Sequence, residues 1–461
     1  MSSLLSLVSI VFWGVLVLSV LVFVHEGGHY LAARAFHVRA TEFFLGLPCR
    51  WHLSRRSRKV GTEFGVTPLL LGGYTRICGM EGTEDELLAP ALALVTERGR
   101  VRVEDLAREL GCDVDRAYGL MATLSDWASV EPYYDPELGE EPSQKTYPAA
   151  FQAPARDASL LTQYDRGNDF SRPGATAAGE PRAVDLPPEE LLAHERARTY
   201  LGTSLPKRLA MLVAGPAVNV LLAFLIVTCA LMARGVDYVP NVTTIGGVEE
   251  GSVAEAAGLK AGDTITAVDG TAVDTWEAMS AALAPLLEEG RDFTLTYERD
   301  GSEHDVSIDL PDGEPTELLG VLAQTATYHP SLPEAAQATL AYTGQVASYV
   351  AQLIQPQHTM EVLDQSSSVV GISVMASEAA SSGPYELALV AAALSMSLGF
   401  MNLLPIPPLD GGKVLVELIQ LVIRRPLSAR VQNGLSYVGL AFFAFVFLFV
   451  LKNDIVRFVI G

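Results

Sequence analysis

The chain has 461 residues, 49% of them hydrophobic, and a formal net charge of −22 at pH 7. That length allows about two to four domains, and a positive mean hydropathy is high for a soluble protein. The strongly negative balance argues against a protein that tracks nucleic-acid phosphates.

An apolar run without a charge extends from Leu4 to Val24. It is long enough to span a bilayer. It has no basic leader and no small-x-small cleavage site, so we read it as a retained transmembrane helix rather than a signal peptide. It runs directly into His25-Glu26-Gly27-Gly28-His29. Two histidines four apart on a helix lie about 40° apart in projection, so both rings reach one metal. Neutral imidazole suits zinc, and Glu26 between them can act as general base for a metal-activated water. Ionisable groups are costly within a membrane segment, which favours a functional reading. His37 and His52 fall outside this spacing and read as surface residues. In the same unit, residues 1–81, the stretch Phe64-Gly-Val-Thr-Pro-Leu-Leu-Leu-Gly72-Gly73-Tyr74-Thr-Arg-Ile77 places β-type residues around a glycine pair. It predicts a hairpin or looped strand pair, apolar enough to dip into the membrane and then shielded by protein because bare strand edges are not tolerated in lipid.

Residues 82–200 read as an insert, with 23 acidic against 12 basic residues. Its first part, 82–134, predicts helices at 84–98, 103–110 and 114–128 and a strand at 130–134, the order of a winged helix-turn-helix. Leu106, Leu110, Val114, Tyr118, Met121 and Leu124 are the expected buried positions. The second part, 135–200, is rich in Pro, Ala, Gly and Asp over 135–186 and reads as a flexible linker. The candidate recognition segment carries Asp113, Asp115 and Asp126 against Arg116 alone. A duplex would repel it, so the expected partner of 84–134 is a cytosolic protein and no nucleic acid.

A second span is expected at 209–233, within the unit 201–235. Residues 241–311 form an α/β unit with a helix near 275–287 and strands at 292–299 and 304–310. Its "AGLKAGDTITAVDG" resembles the middle of a bacterial PDZ domain, a module that adds an extended peptide to a sheet edge. Within 312–386, residues 334–358 predict an amphipathic interfacial helix, and 366–383 are small and weakly apolar. Residues 387–461 hold the third and fourth spans, 387–404 and 435–451. Arg34, Arg39, Arg50, Arg55, Arg56, Arg58 and Lys59 follow the first span. Lys207 and Arg208 precede the second, and Lys413, Arg424, Arg425 and Arg430 separate the third from the fourth. The positive-inside rule places these flanks in the cytosol and 234–386 outside.

A catalytic zinc needs a third protein ligand. Glu386 and Glu417 flank spans and read more simply as interfacial charges. Asp410, in Asn402-Leu-Leu-Pro-Ile-Pro-Pro-Leu-Asp410-Gly411-Gly412, falls at the same membrane face as His25 and His29. Its prolines stop the third span, and its glycines let the backbone turn.

Taken together, these motifs resemble the site-2 protease family of intramembrane zinc metalloproteases, in its bacterial RseP-like branch. The resemblance rests on His25-Glu26-x-x-His29, the 64–77 loop, "AGPAVN" at 214–219, the PDZ-like unit and "NLLPIPPLDGG" at 402–412. It implies zinc held by His25, His29 and Asp410, with Glu26 activating water. It implies that Asn402 contacts the substrate backbone, and that Gly72, Gly73 and Tyr74 belong to a strand-edge clamp on the unwound substrate. Asn219 reads as a helix-packing amide. Implied partners are membrane lipid and single-span transmembrane substrates, such as anti-sigma factors or signal-peptide remnants, in the bacterial cytoplasmic membrane. The active site would face the cytosol and the PDZ unit the outside. A single PDZ unit, the long insert and Lys413, where a histidine is frequent, depart from the pattern. The expected fold is an α-helical polytopic membrane protein of about four spans, with the β-hairpin loop, the PDZ domain and the winged-helix-like insert. Two rival readings are a membrane zinc protease whose third ligand is a glutamate, and a non-catalytic PDZ-bearing scaffold.

Overall fold

A computed structural model describes residues 2–456 except 71, 81–83, 143, 145, 311–317, 426 and 428. Leu71 of the expected hairpin and residues 312–317 of the 312–386 unit therefore lie outside the described residues. The chain divides into two units, residues 1–227 with 339–461, and residues 228–338.

Helix α1, Ser2–Ala35, forms from the uninterrupted apolar run and carries the histidine pair in its last third. Four strands follow: β1 Ala40–Leu45, β2 Leu53–Arg56, β3 Glu63–Val66 and β4 Gly73–Ile77. They make one sheet in the order β2-β3-β1-β4. The expected hairpin of residues 64–77 is not formed. β3 pairs parallel with β1, and β4 pairs antiparallel with the other edge of β1, so β1 lies between them. The connecting loop turns back on the end of β1 instead of closing tightly: Gly46 N–H donates to Gly72 O at 2.6 Å and Leu47 N–H to Leu69 O at 2.8 Å. The Ser19 hydroxyl donates to Leu70 O at 2.7 Å and ties the loop to α1.

The insert contains α2 Leu88–Arg98, β5 Arg100–Arg102, α3 Val103–Leu110, α4 Val114–Asp126, β6 Glu131–Tyr133, β7 Ala150–Gln152 and α5 Pro188–Arg196. Leu92, Leu106, Met121, Leu124 and Phe151 share one core. Val114, expected inside, is exposed at the first turn of α4, which Asp113 caps by accepting from Arg116 N–H at 2.7 Å. Residues 135–200 are not a flexible linker. β7 is the middle strand of the sheet β5-β7-β6, and Phe151 is fully buried. Arg156, Asp165 and Glu195 are buried as well. Composition alone hides this, because the segment is held by charge pairing together with a few scattered apolar residues such as Phe151 and Leu191, which make no periodic face.

That pairing centres on Arg39, just beyond α1 and 0% exposed. Its guanidinium donates to Asp165 at 2.7 and 2.8 Å, to Glu195 at 2.7 Å and to Trp127 O at 3.0 Å. Arg156 donates to the second oxygen of Glu195 at 2.7 Å. At the end of α1, Arg34 donates to Tyr164 O, and Arg166 to Arg34 O at 3.3 Å. The insert is thus packed on the end of the helix that carries the histidines.

Helix α6, Leu205–Arg234, follows. The unit 228–338 then contains β8 Val236–Tyr238, β9 Ile245–Val248, α7 Val253–Ala256, β10 Thr264–Val268 and β11 Thr271–Ala272. It continues with α8 Trp276–Glu288, β12 Phe293–Arg299, β13 Ser302–Ile308, β14 Val321–Ala323 and β15 Ala326–Tyr328. A four-stranded sheet β11-β10-β12-β13 packs with α8 around Ile265, Leu283, Leu295 and Ile308. Strand β9 pairs with β14 and β8 with β15.

The remaining helices are α9 Leu332–Ala351, α10 Thr359–Gln365, α11 Val369–Ser382, α12 Pro384–Asn402, α13 Asp410–Ile423 and α14 Ala429–Ile455. Among the described residues, four helices are long and apolar enough to cross a membrane: Leu4–Ala35, Leu205–Arg234, Pro384–Asn402 and Val431–Ile455. The short α11, on the weakly apolar 366–383 stretch, packs beside α1, where Ser377 and Ser9 share a hydrogen bond of 2.9 Å. Buried Asp454 of α14 accepts from Ser368 and Gly371 N–H at 2.6 and 3.1 Å and so caps α11.

Candidate metal centre

One turn of α1 separates His25 from His29, and both rings are buried. The first residue of α13, Asp410, comes to the same place. His25 Nε2 and His29 Nε2 lie 3.2 and 3.1 Å from Asp410 Oδ2, and 3.2 Å from each other. The glycines after Asp410 act differently from the expected sharp turn. Gly411 and Gly412 lie inside α13, where a side chain on Gly411 would meet Leu403 O and Leu404 O, and one on Gly412 would meet Pro407 and Ile406. They let α13 fold directly onto the 403–407 segment, which brings Asp410 to the histidines.

Second-sphere contacts orient the set. His29 Nδ1 lies 2.8 Å from Met211 O. A carbonyl only accepts, so we assign the ring proton to Nδ1, which leaves the Nε2 lone pair facing Asp410. Lone pairs from one or two imidazoles and a carboxylate, crowded at 3.1–3.2 Å, repel unless a cation sits among them. A tetrahedral zinc with bonds of about 2.0–2.1 Å holds its ligands about 3.3 Å apart, so the spacing fits that ion. These three residues are the only His/Cys/Asp/Glu group among the described residues able to hold a metal in this way. Lys413 Nζ stands 3.9 Å from the other oxygen, Asp410 Oδ1.

The Peptidase family M50 model matches residues 13–446. The chain belongs to this family. It is 27% identical over 456 residues to a zinc metalloprotease RasP of Geobacillus kaustophilus, covering 96% of this chain and 97% of that protein. It is 25% identical over 455 residues to the regulator of sigma-W protease RasP of Bacillus subtilis, covering 96% and 97%. A probable protease eep of Enterococcus faecalis is 25% identical over 452 residues, covering 96% and 98%. The chain is a membrane zinc metalloprotease, and zinc is its cofactor.

In this M50 chain, α6 approaches the histidines very closely. A Cβ on Gly215 would run into His29 Nε2, and one on Gly28 would stand 2.5 Å from Ala214 O. Reading the sequence missed this role of "AGP". The available signal was a glycine within an apolar span, where small residues mark close helix approach. Glu26 is half-buried beside β4: a Cβ on Gly73 would be 3.4 Å from Glu26 Cγ and 3.1 Å from Val22 Cγ1. The Thr75 hydroxyl donates to Glu26 O at 3.1 Å. Gly73 and Thr75 therefore face α1, and Tyr74 between them faces away, stacked on Phe44 at 5.3 Å. Burial and the adjacent Glu42 push the Tyr74 phenol above its usual range, so it remains a neutral donor. A Cβ on Gly72 would meet Leu47 instead of α1. Asn402 ends α12, half-buried, with its amide donating to Leu398 O at 3.0 Å. Of the other acidic candidates, Glu417 is engaged by Arg208 at 3.0 Å and the Tyr200 hydroxyl at 3.1 Å. Glu386 sits in the first turn of α12, at the end opposite Asn402. His37 and His52 are exposed.

Proposed function

We propose that His25, His29 and Asp410 hold the zinc, that Glu26 is the general base, and that the chain cuts single-span membrane proteins within the bilayer. The observation that carries this reading is the triangle of ligand atoms, 3.1–3.2 Å on each side, with its two histidine corners on a helix apolar enough to span a membrane. The bound ion supplies Lewis-acid activation of water. His25, His29 and Asp410 would be its three protein ligands. Glu26 directly follows His25 and takes the water's proton, then returns it to the leaving amine. Asn402, released from Leu398 O, offers an amide donor to the substrate carbonyl as charge develops on it.

A helical substrate hides its carbonyls in hydrogen bonds four residues on, so it must unwind before attack. β4 is the outer strand of its sheet and passes beside Glu26. Its outer edge around Gly73, between Gly72 and Tyr74, offers the unwound backbone replacement hydrogen bonds. The Lys and Arg flanks of the spans favour a cytosolic site, with residues 241–311 outside. There, the four-stranded sheet with α8 supports a PDZ module that excludes bulky substrates. The order α2-β5-α3-α4-β6-β7 supports a winged helix. Three of its arginines are engaged by its own acids, Arg116 with Asp85 at 2.9 Å, Arg98 with Glu109 at 2.5 Å and Arg108 with Asp105 at 3.0 Å. A protein partner therefore fits this surface better than DNA does. The name of the Bacillus subtilis relative supports an anti-sigma-type substrate.

The test uses the purified full chain and a single-span reporter. Glu26→Gln is expected to retain one zinc per chain and to lose cleavage by roughly 10²- to 10⁴-fold, because it removes the base and no ligand. Full cleavage by Glu26→Gln would refute the mechanism.

A further inference from the structure

Two buried polar groups near the metal centre have no partner among the described residues. One is His25 Nδ1, on the far side of the ring from Asp410. The other is the whole side-chain amide of Asn219, which is 0% exposed with neither Nδ2 nor Oδ1 bonded. A buried amide left unbonded loses its hydration without replacement, so its presence in an apolar span calls for a reason. The two groups lie at matching levels. Helices α1 and α6 run antiparallel: Lys207 lies over the Phe36 ring, Met211 O bonds His29, and Gly215 meets His29 and Gly28. Asn219 is one turn beyond Gly215 on the same face of α6, and His25 is one turn before His29 on the same face of α1. Continuing the pairing sets Asn219 against His25. The packing is otherwise close, since the Ser395 hydroxyl donates to Asn219 O at 2.9 Å.

We propose that Asn219 is a positioning residue for His25. Its Oδ1 accepts from His25 Nδ1–H, directly or through one water, and so presents Nε2 to the metal. Met211 O does the same for His29. A metal-bound imidazole is normally held in this way through its second nitrogen, and loss of such a partner typically weakens metal binding 10- to 100-fold. The inference rests on the zinc reading of His25, His29 and Asp410.

The experiment measures zinc affinity of the full-length protein by competition with a chelator. Asn219→Leu keeps the volume and removes the acceptor, and a 10- to 100-fold weaker affinity is expected. Asn219→Asp keeps shape and acceptor, and should bind zinc at least as tightly as wild type. A residue that only packs would give the opposite order, because Leu suits an apolar contact and a buried Asp does not. Asn219→Leu within about twofold of wild type overturns the proposal. So does an Asn219→Asp protein that binds zinc tenfold more weakly than wild type, and this arm decides alone if the Leu protein does not fold. His25→Ala separates the two readings. If it keeps wild-type zinc affinity, the metal assignment falls and this inference with it. If it loses zinc while Asn219→Leu does not, only the inference falls.

Discussion

Glu195→Gln tests whether the insert is part of the catalytic body. Glu195 is fully buried and accepts from Arg39, Arg156 and the Ser129 hydroxyl at 2.6–2.7 Å. The amide has nearly the same shape but no charge, so one positive charge is left uncompensated in the interior. Breaking a buried ion pair from one side costs about 3–5 kcal/mol. At ~1.4 kcal/mol per decade, the open form of the insert should become roughly 10²- to 10⁴-fold more populated. Hydrogen exchange of 150–156, which holds β7 and Arg156, reads this directly in the full chain. A change below about fivefold would refute the argument that charge pairing holds the segment. The pH dependence gives a second check. Burial opposes ionisation of Asp165 and Glu195, but Arg39, with Arg156 for Glu195, outweighs it and holds both carboxyls below their usual values of 3.8 and 4.5. A lowered folded-state pKa adds stability that is present above those values and is lost as pH falls through the lower, folded-state ones. The insert should stay docked at pH 5 and loosen only below about pH 4. A freely tethered module predicts that 84–186 can be excised without consequence. The network predicts that excision unseats the end of α1.

Gly215→Val should displace His29 and lower zinc content, while Ala217→Val, at an exposed position of the same helix, should not; metal analysis of the purified proteins decides, and equal zinc in both counts against the packing account. Proline within 69–75 removes backbone donors and should slow cleavage of helical substrates at unchanged zinc content; a parallel fall in zinc makes the loop structural. The wild-type chain should not retard duplex DNA at near-physiological salt, and a specific shift there overturns the protein-partner reading of the insert.

The sequence determined by itself what depends on local spacing and composition. The charge-free runs fix four spans, because length and hydropathy are local quantities. The one-turn separation of His25 and His29 fixes a shared metal face, because helix periodicity is local too. The helices of 82–134 and the α/β pattern of 241–311 were legible for the same reason. Tertiary structure decided what depends on partners distant in sequence. β1 takes the place between β3 and β4 that the glycine pair alone assigned to a hairpin. Arg39, which reads as one more cytosolic charge beside Arg34, is instead the buried hub joining α1 to residues 126 and 156 positions away. The linker composition of 135–200 concealed a central strand and the buried acids Asp157, Asp165 and Glu195, because burial of paired charge leaves no hydrophobic period to read. Asp410 reached the histidines only because Gly411 and Gly412 admit the 403–407 backbone. Gly215 and Asn219 acquired roles only when α6 was seen against α1, since a close approach between helices belongs to neither helix alone.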